Sequence, residues 1–102
     1  MKPFVLTPAT RDDLIEIWTY IANDSVDRAD QVIADLYDAF GRLAQSPGIG
    51  HYRDDLADRR HRFWVVYSYI VVYRWKAAPL QIIAVFHGSR HLRALLPERT
   101  EE

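Results

Sequence analysis

The residues best suited to chemistry in this sequence are cations, histidines and phenols gathered in its second half. Arg62, Tyr67, Tyr73, Arg74, His87 and Arg90 lie in or beside one aromatic-rich stretch, RFWVVYSYIVVYRWKAAPLQIIAVFH, which runs from Arg62 to His87. Cleaving a phosphodiester without a metal needs a base, an acid and cations to offset the charge that develops on the phosphate. His87, Arg62 and Arg74 supply those residue types. Each also has a plainer explanation. His87 at a strand end serves equally as a structural hydrogen-bonding group. Arg74, alternating with Val72, is either an anion clamp or half of a surface ion pair. The densest basic run, Arg59-Arg60-His61-Arg62, is either a solvated loop or a grip for an acidic segment or a nucleic-acid backbone. A metal site is not expected, because no pair among His51, His61, His87 and His91 has the usual helical ligand spacing and no carboxylate cluster stands beside them. No cofactor is implied.

Whatever these residues do, they must be positioned by a small scaffold. At 102 residues the chain is expected to fold as one domain, residues 1–102. No apolar run approaches the roughly eighteen residues of a membrane span, and the opening MKPFVLTPAT lacks the long apolar region of a signal peptide. The absence of cysteine excludes disulfides and fits a reducing cytoplasm. With no apolar run of that length no membrane contact is expected, and a net charge of −1 gives the whole chain no bias towards nucleic acid, so no direct sequence-specific nucleic-acid binding is expected. The two halves differ. Residues 1–52 carry four Lys/Arg against eight Asp/Glu, and residues 53–102 carry nine against six, net −4 and +3.

The Arg62–His87 block is rich in β-branched and aromatic residues, which suit a pleated, half-buried surface. Ser68 and Ala77-Ala78-Pro79 divide it into three short strands, Phe63–Tyr67, Tyr69–Lys76 and Leu80–His87, an antiparallel meander. In the middle strand Tyr69, Val71, Tyr73 and Trp75 share one face, while Ile70, Val72, Arg74 and Lys76 share the other. Phe4-Val5-Leu6 reads as an edge strand of the same sheet. Thr7-Pro8 caps and opens a helix with the stripe Leu14, Ile17, Trp18 and Ile21. Ser25 caps a second, with the stripe Ala29, Val32, Ile33, Leu36, Phe40, Leu43 and Ala44, which Ser46-Pro47-Gly48 ends. The short link makes these an antiparallel αα-hairpin expected to bury Trp18 with the rest of its stripe against the sheet. A basic stretch after Gly88-Ser89 carries Leu92, Leu95 and Leu96, and Pro97 limits any helix there to two turns.

Four segments taken together, LTPATRDDLIEIWTYIANDS, ADQVIADLYDAFGRLAQSPGIGHYR, YIVVYRW and IIAVFHGSR, resemble the ParE branch of the RelE/ParE toxins of bacterial type II toxin–antitoxin pairs. The resemblance covers roughly residues 3 to 93 in the family's order and spacing. It implies an α+β fold, β-α-α-β-β-β, with an antiparallel sheet and the αα-hairpin packed on one face. It also implies a toxin that inhibits DNA gyrase by binding it and is neutralised by a cognate antitoxin. RelE-like relatives instead cleave mRNA on the ribosome, which is the alternative. Ribosome-docking nucleases should be strongly basic, so the charge of −1 favours the non-catalytic reading. The candidate target contacts are Arg59, Arg60, Arg62, Arg74, Arg90 and Arg93. The candidate antitoxin contacts are Trp75, Tyr73, Tyr20 and Tyr37, and toxin self-association is expected where apolar surface awaits the antitoxin.

Overall fold

The computed structural model describes residues 4–101. Its first strand, β1 (Phe4–Leu6), runs into a helix, α1 (Pro8–Ala22), where Thr7 serves as N-cap and its hydroxyl accepts from the Thr10 amide at 3.2 Å. The α2 helix (Val26–Gln45) begins in the same way, with the Ser25 hydroxyl accepting from Arg28 N at 3.1 Å. Such caps satisfy amides that have no partner within the helix. A 3₁₀ turn at Pro47–Ile49 ends the hairpin, and a loop leads to β2 (His61–Val66), β3 (Tyr69–Arg74) and β4 (Leu80–His87). A last helix, α3 (Leu92–Thr100), closes the chain.

The order of elements, β-α-α-β-β-β, is the one read from the sequence, and the fold is α+β. The sheet runs β1-β4-β3-β2. It is mixed rather than wholly antiparallel: β2, β3 and β4 form the expected antiparallel meander, but β1 lies parallel to β4. Three residues of strand carry no sequence mark of their direction. The alternation read in the middle strand holds, with Tyr69, Val71 and Tyr73 facing the helical hairpin and Ile70 and Val72 facing the other way. The hairpin side buries Leu14, Ile17, Val32, Leu36, Phe40 and Leu43 against β3 and β4.

Two expectations about the covering helices are corrected. Trp18 is 36% exposed, and its indole N–H donates to the Asp30 carboxylate at 2.8 Å. Leu14 and Ile17 take the sheet-facing side of α1 and turn Trp18 to the outer seam with α2. The second correction concerns the tail, whose helix runs through Pro97 for 9 residues instead of stopping within two turns. α3 covers the opposite face of the sheet, where Leu92 and Leu96 meet Phe63, Val72, Ile83, Ala84 and Phe86 in a second core. Pro97 is tolerated inside this helix on its exposed side, where the carbonyl its ring leaves unpaired can turn to water.

Candidate functional site

At the C-terminal end of β4 a cleft of about 440 Å³ opens between α1, the sheet and α3, lined by Ile17, Tyr20, Tyr69, His87, Arg90 and Leu95 among others. His87 is exposed, and its ring meets Tyr69 edge-on at 5.4 Å. Its Nδ1 accepts from the Ser89 amide at 3.1 Å and lies 2.7 Å from the Ser89 hydroxyl. An amide can only donate, so Nδ1 is an acceptor and the proton of the neutral ring sits on Nε2. The lone pair of the neutral imidazole is therefore already engaged. Arg90 contacts Glu16 at 3.3 Å on the rim.

Behind the cleft is a feature the sequence reading missed. Asp13 is buried and pairs bidentately with Arg99, both contacts at 2.8 Å, and it also accepts from the Val85 amide at 3.0 Å. Arg99 further donates to the Ile83 carbonyl at 3.0 Å and lies 4.9 Å from the Phe86 ring. Its bond to Asp13 raises the already high pKa of the guanidinium. The pair bolts α3 to α1 and β4 across 86 positions of sequence. Asp13 stands in phase with Thr10, Leu14 and Ile17 on the buried side of α1, and a carboxylate at that spacing was the readable signal of a buried partner.

The basic loop looks different in three dimensions from its sequence. Arg59 pairs with Asp54 at 3.0 Å, Arg60 with Asp58 at 2.8 Å and Arg53 with Asp55 at 3.0 Å, while Arg93 reaches the same Asp55 at 3.5 Å. Asp58 is held far below the usual carboxylate range, chiefly by its bonds to Arg60. Arg62 is half-buried with its guanidinium 4.1 Å from the rings of both Tyr52 and Trp75, and it donates to the Gly50 carbonyl at 2.9 Å and the Tyr52 hydroxyl at 3.0 Å. Two aromatic faces and two hydrogen bonds make Arg62 a fastener for the 50–52 segment. Arg74 donates to the Gln81 side chain at 3.3 Å.

His61 is fully buried at the head of β2, opposite Arg74. Its Nδ1 lies 3.2 Å from Asp58, and Nε2 has no hydrogen-bond partner among the described residues. Burial lowers its pKa below the usual 6.5, against the opposing pull of Asp58. A depressed folded pKa means the unfolded chain takes up the proton first. The stabilising difference is therefore complete above about pH 6.5 and is lost as pH falls below it, until the folded ring also protonates. Urea titrations at pH 7.5 and 5.5 should show that loss, and it should shrink in His61→Phe.

The residues named for phosphodiester chemistry are not brought together. In the β3–β4 register His87 faces Tyr69 and Gln81 faces Arg74. Five steps along the strand separate the two ends, roughly 17 Å at about 3.3 Å per residue. Arg62 lies opposite Tyr73, at the Arg74 end. Tyr67, at the hairpin tip with a φ of 55°, donates to the Asp35 carboxylate, which raises the pKa of its hydroxyl. Tyr73, a candidate partner contact, is fully buried and has no surface to offer. Its hydroxyl donates to the Pro47 carbonyl at 2.6 Å and accepts from the Gly50 amide at 3.0 Å. Of the other three, Tyr20 is 77% exposed at the cleft, Tyr37 stands on the outer seam of the hairpin, and Trp75 is half-buried beside Arg62. They do not form one surface.

The outer seam between α1 and α2 is a shallow apolar groove of about 360 Å³, lined by Arg11, Leu14, Ile15, Trp18, Ile33 and Tyr37. It adjoins β1, since Phe4 meets Tyr37 edge-on at 6.2 Å. β1 is an edge strand, and among the described residues no strand covers its outer side. The other edge is largely closed. Phe63 exchanges both backbone hydrogen bonds with His51, at 2.8 and 2.7 Å, and the His61 amide donates to Asp58 at 3.1 Å. By strand parity only Val65 is left open on that side.

An αα-hairpin laid on one face of this sheet, in the order β-α-α-β-β-β, is the architecture of ParE-like toxins. The chain belongs to the ParE toxin family of type II toxin–antitoxin systems, whose sequence model, described as the ParE toxin of the parDE system, it matches over residues 4–92. It is also 32% identical over 97 residues to Toxin ParE1 of Caulobacter vibrioides, an alignment that covers 94% of this chain and 99% of that protein. No helix among the described residues is long and apolar enough to cross a membrane.

Proposed function

We propose that this chain is a single toxin domain that acts in the cytoplasm, inhibiting DNA gyrase by binding it and being neutralised by a cognate antitoxin. The observation that carries this reading is the family membership over residues 4–92. The geometry of the acid–base candidates agrees with it. His87 stands at the opposite end of β3 from Arg62 and Arg74, with Nδ1 engaged by Ser89, so a binding role is the simpler use of these groups. The target contact falls to the exposed cations, of which Arg90 lines the cleft.

The antitoxin takes the groove between α1 and α2 and the open edge of β1. An amphipathic helix lays apolar side chains into such a groove, and an extended segment adds to a free strand edge. Tyr37 joins the two surfaces. In the free toxin, Ile15, Trp18 and Tyr37 are exposed at 63%, 36% and 42%, which accounts for the expected self-association. Ile15→Glu should weaken antitoxin binding by roughly tenfold or more in calorimetry while leaving the fold intact. Val26→Glu, at an exposed apolar site on α2 away from the groove, should not. Equal losses from the two variants would move the antitoxin elsewhere.

A further inference from the structure

We propose that the far end of β3 carries a phosphate-binding site that takes the nucleic-acid backbone without reading sequence. A cavity of about 460 Å³ there is lined by Arg59, Arg60, Arg74 and Lys76 with one carboxylate, Asp58. The Trp75 indole N–H donates to the Arg59 carbonyl at 2.9 Å, which ties the loop to the end of β3 and holds loop and strand cations on one rim. Lys76 lies 4.9 Å from the Trp75 ring and makes no ion pair among the described residues.

The pairs Arg59–Asp54 and Arg60–Asp58 are more than half exposed at every side chain. Exposed pairs of this kind contribute little and exchange readily. A phosphate offers a guanidinium the same two-oxygen geometry as the carboxylate it would replace. What occupies the site follows from that exchange. An acidic peptide would swap one carboxylate for another with no net gain. A nucleic-acid backbone additionally releases its condensed counterions, which drives binding at low salt. Cations already lie over the Tyr52 and Trp75 rings, so base stacking is not offered and sequence is not read.

The test is fluorescence anisotropy of the full chain with a short labelled DNA duplex, in an assay that contains no gyrase, so its outcome is separate from that of the gyrase reading. Binding should saturate at low salt, weaken as salt rises with a log–log slope near −2 to −3, and be competed by inorganic phosphate. Lys76→Glu should cost roughly tenfold in affinity, and Lys76→Ala should reduce the slope by about one. Arg28→Glu makes the same charge change near the opposite end of the β2–β3 hairpin and should stay within about twofold. Equal losses from Lys76→Glu and Arg28→Glu would overturn the site by reducing it to bulk charge. So would the absence of saturable binding at low salt, or tighter binding of a polyglutamate peptide than of the duplex.

Discussion

Arg99→Met is expected to lower the stability of the folded chain by about 3 kcal/mol, because it leaves the Asp13 carboxylate buried without its cation. Asp13 would keep only the Val85 amide, while Ile83 would lose a donor to its carbonyl and Phe86 its guanidinium contact. For a domain of this size that corresponds to a fall in melting temperature on the order of 15 °C, measurable by circular dichroism. Replacing both partners, Asp13→Leu with Arg99→Met, should recover part of the loss, since an apolar pair of similar volume leaves no buried charge. A near-neutral Arg99→Met would mean that α3 is not anchored as described. The same geometry bears on truncation. Removing the chain from Arg90 onward deletes Leu92, Leu96 and Arg99 together and uncovers the second core. Such a variant tests the fold before it tests any target contact.

Gly50→Ala should be comparably damaging, about 3–5 kcal/mol. Gly50 has an ordinary extended backbone, with φ −72°, so its role is space rather than conformational freedom. A methyl group there would lie 2.3 Å from the Tyr73 hydroxyl and 2.9 Å from the Phe63 carbonyl oxygen. Tyr73 is fully buried and cannot swing away into solvent. Displacing it breaks its bonds to Pro47 and Gly50, each unsatisfied buried group costing about 1–3 kcal/mol, and adds strain of similar size. Gly48→Ala meets nothing within 4 Å and serves as the control, expected to be near neutral. Pairing Gly50→Ala with Tyr73→Phe removes the clashing oxygen, so urea titrations of the double variant should show less than additive loss. Strict additivity would separate the two sites.

Much of this scaffold was legible because it is written in local patterns. The two hydroxyl caps, the apolar stripe of α2 and the alternation along β3 each concern residues within a turn or a strand of one another. Trp18 was misjudged because a stripe at i and i+4 spans a wide arc of helix surface. Leu14 and Ile17 occupy its sheet-facing side and Trp18 its outer edge. The covering by α3 did leave a trace. β4 reads as a continuous apolar run, the mark of a strand buried on both faces, rather than an alternating one. The Asp13–Arg99 pair and the closing of the β2 edge by His51 depend on residues brought together only by the finished fold. The basic loop stayed undecided for a related reason. Its basic run reads as a solvated loop or a grip for an anion, and the sequence does not show that Arg53, Arg59 and Arg60 pair with carboxylates of the same loop.

The account stands most directly on what the purified chain does to gyrase. In a supercoiling assay on relaxed plasmid it should block the reaction or trap cleaved DNA, and the cognate antitoxin should restore activity. His87→Ala, which removes an exposed ring together with its contacts to Ser89 and Tyr69, should retain most of that inhibition. If the chain were instead a nuclease using His87 as acid or base, the substitution would cost roughly a hundred- to ten-thousand-fold in rate. Unimpaired gyrase, together with codon-phased cuts in mRNA on translating ribosomes that His87→Ala abolishes, would contradict the account.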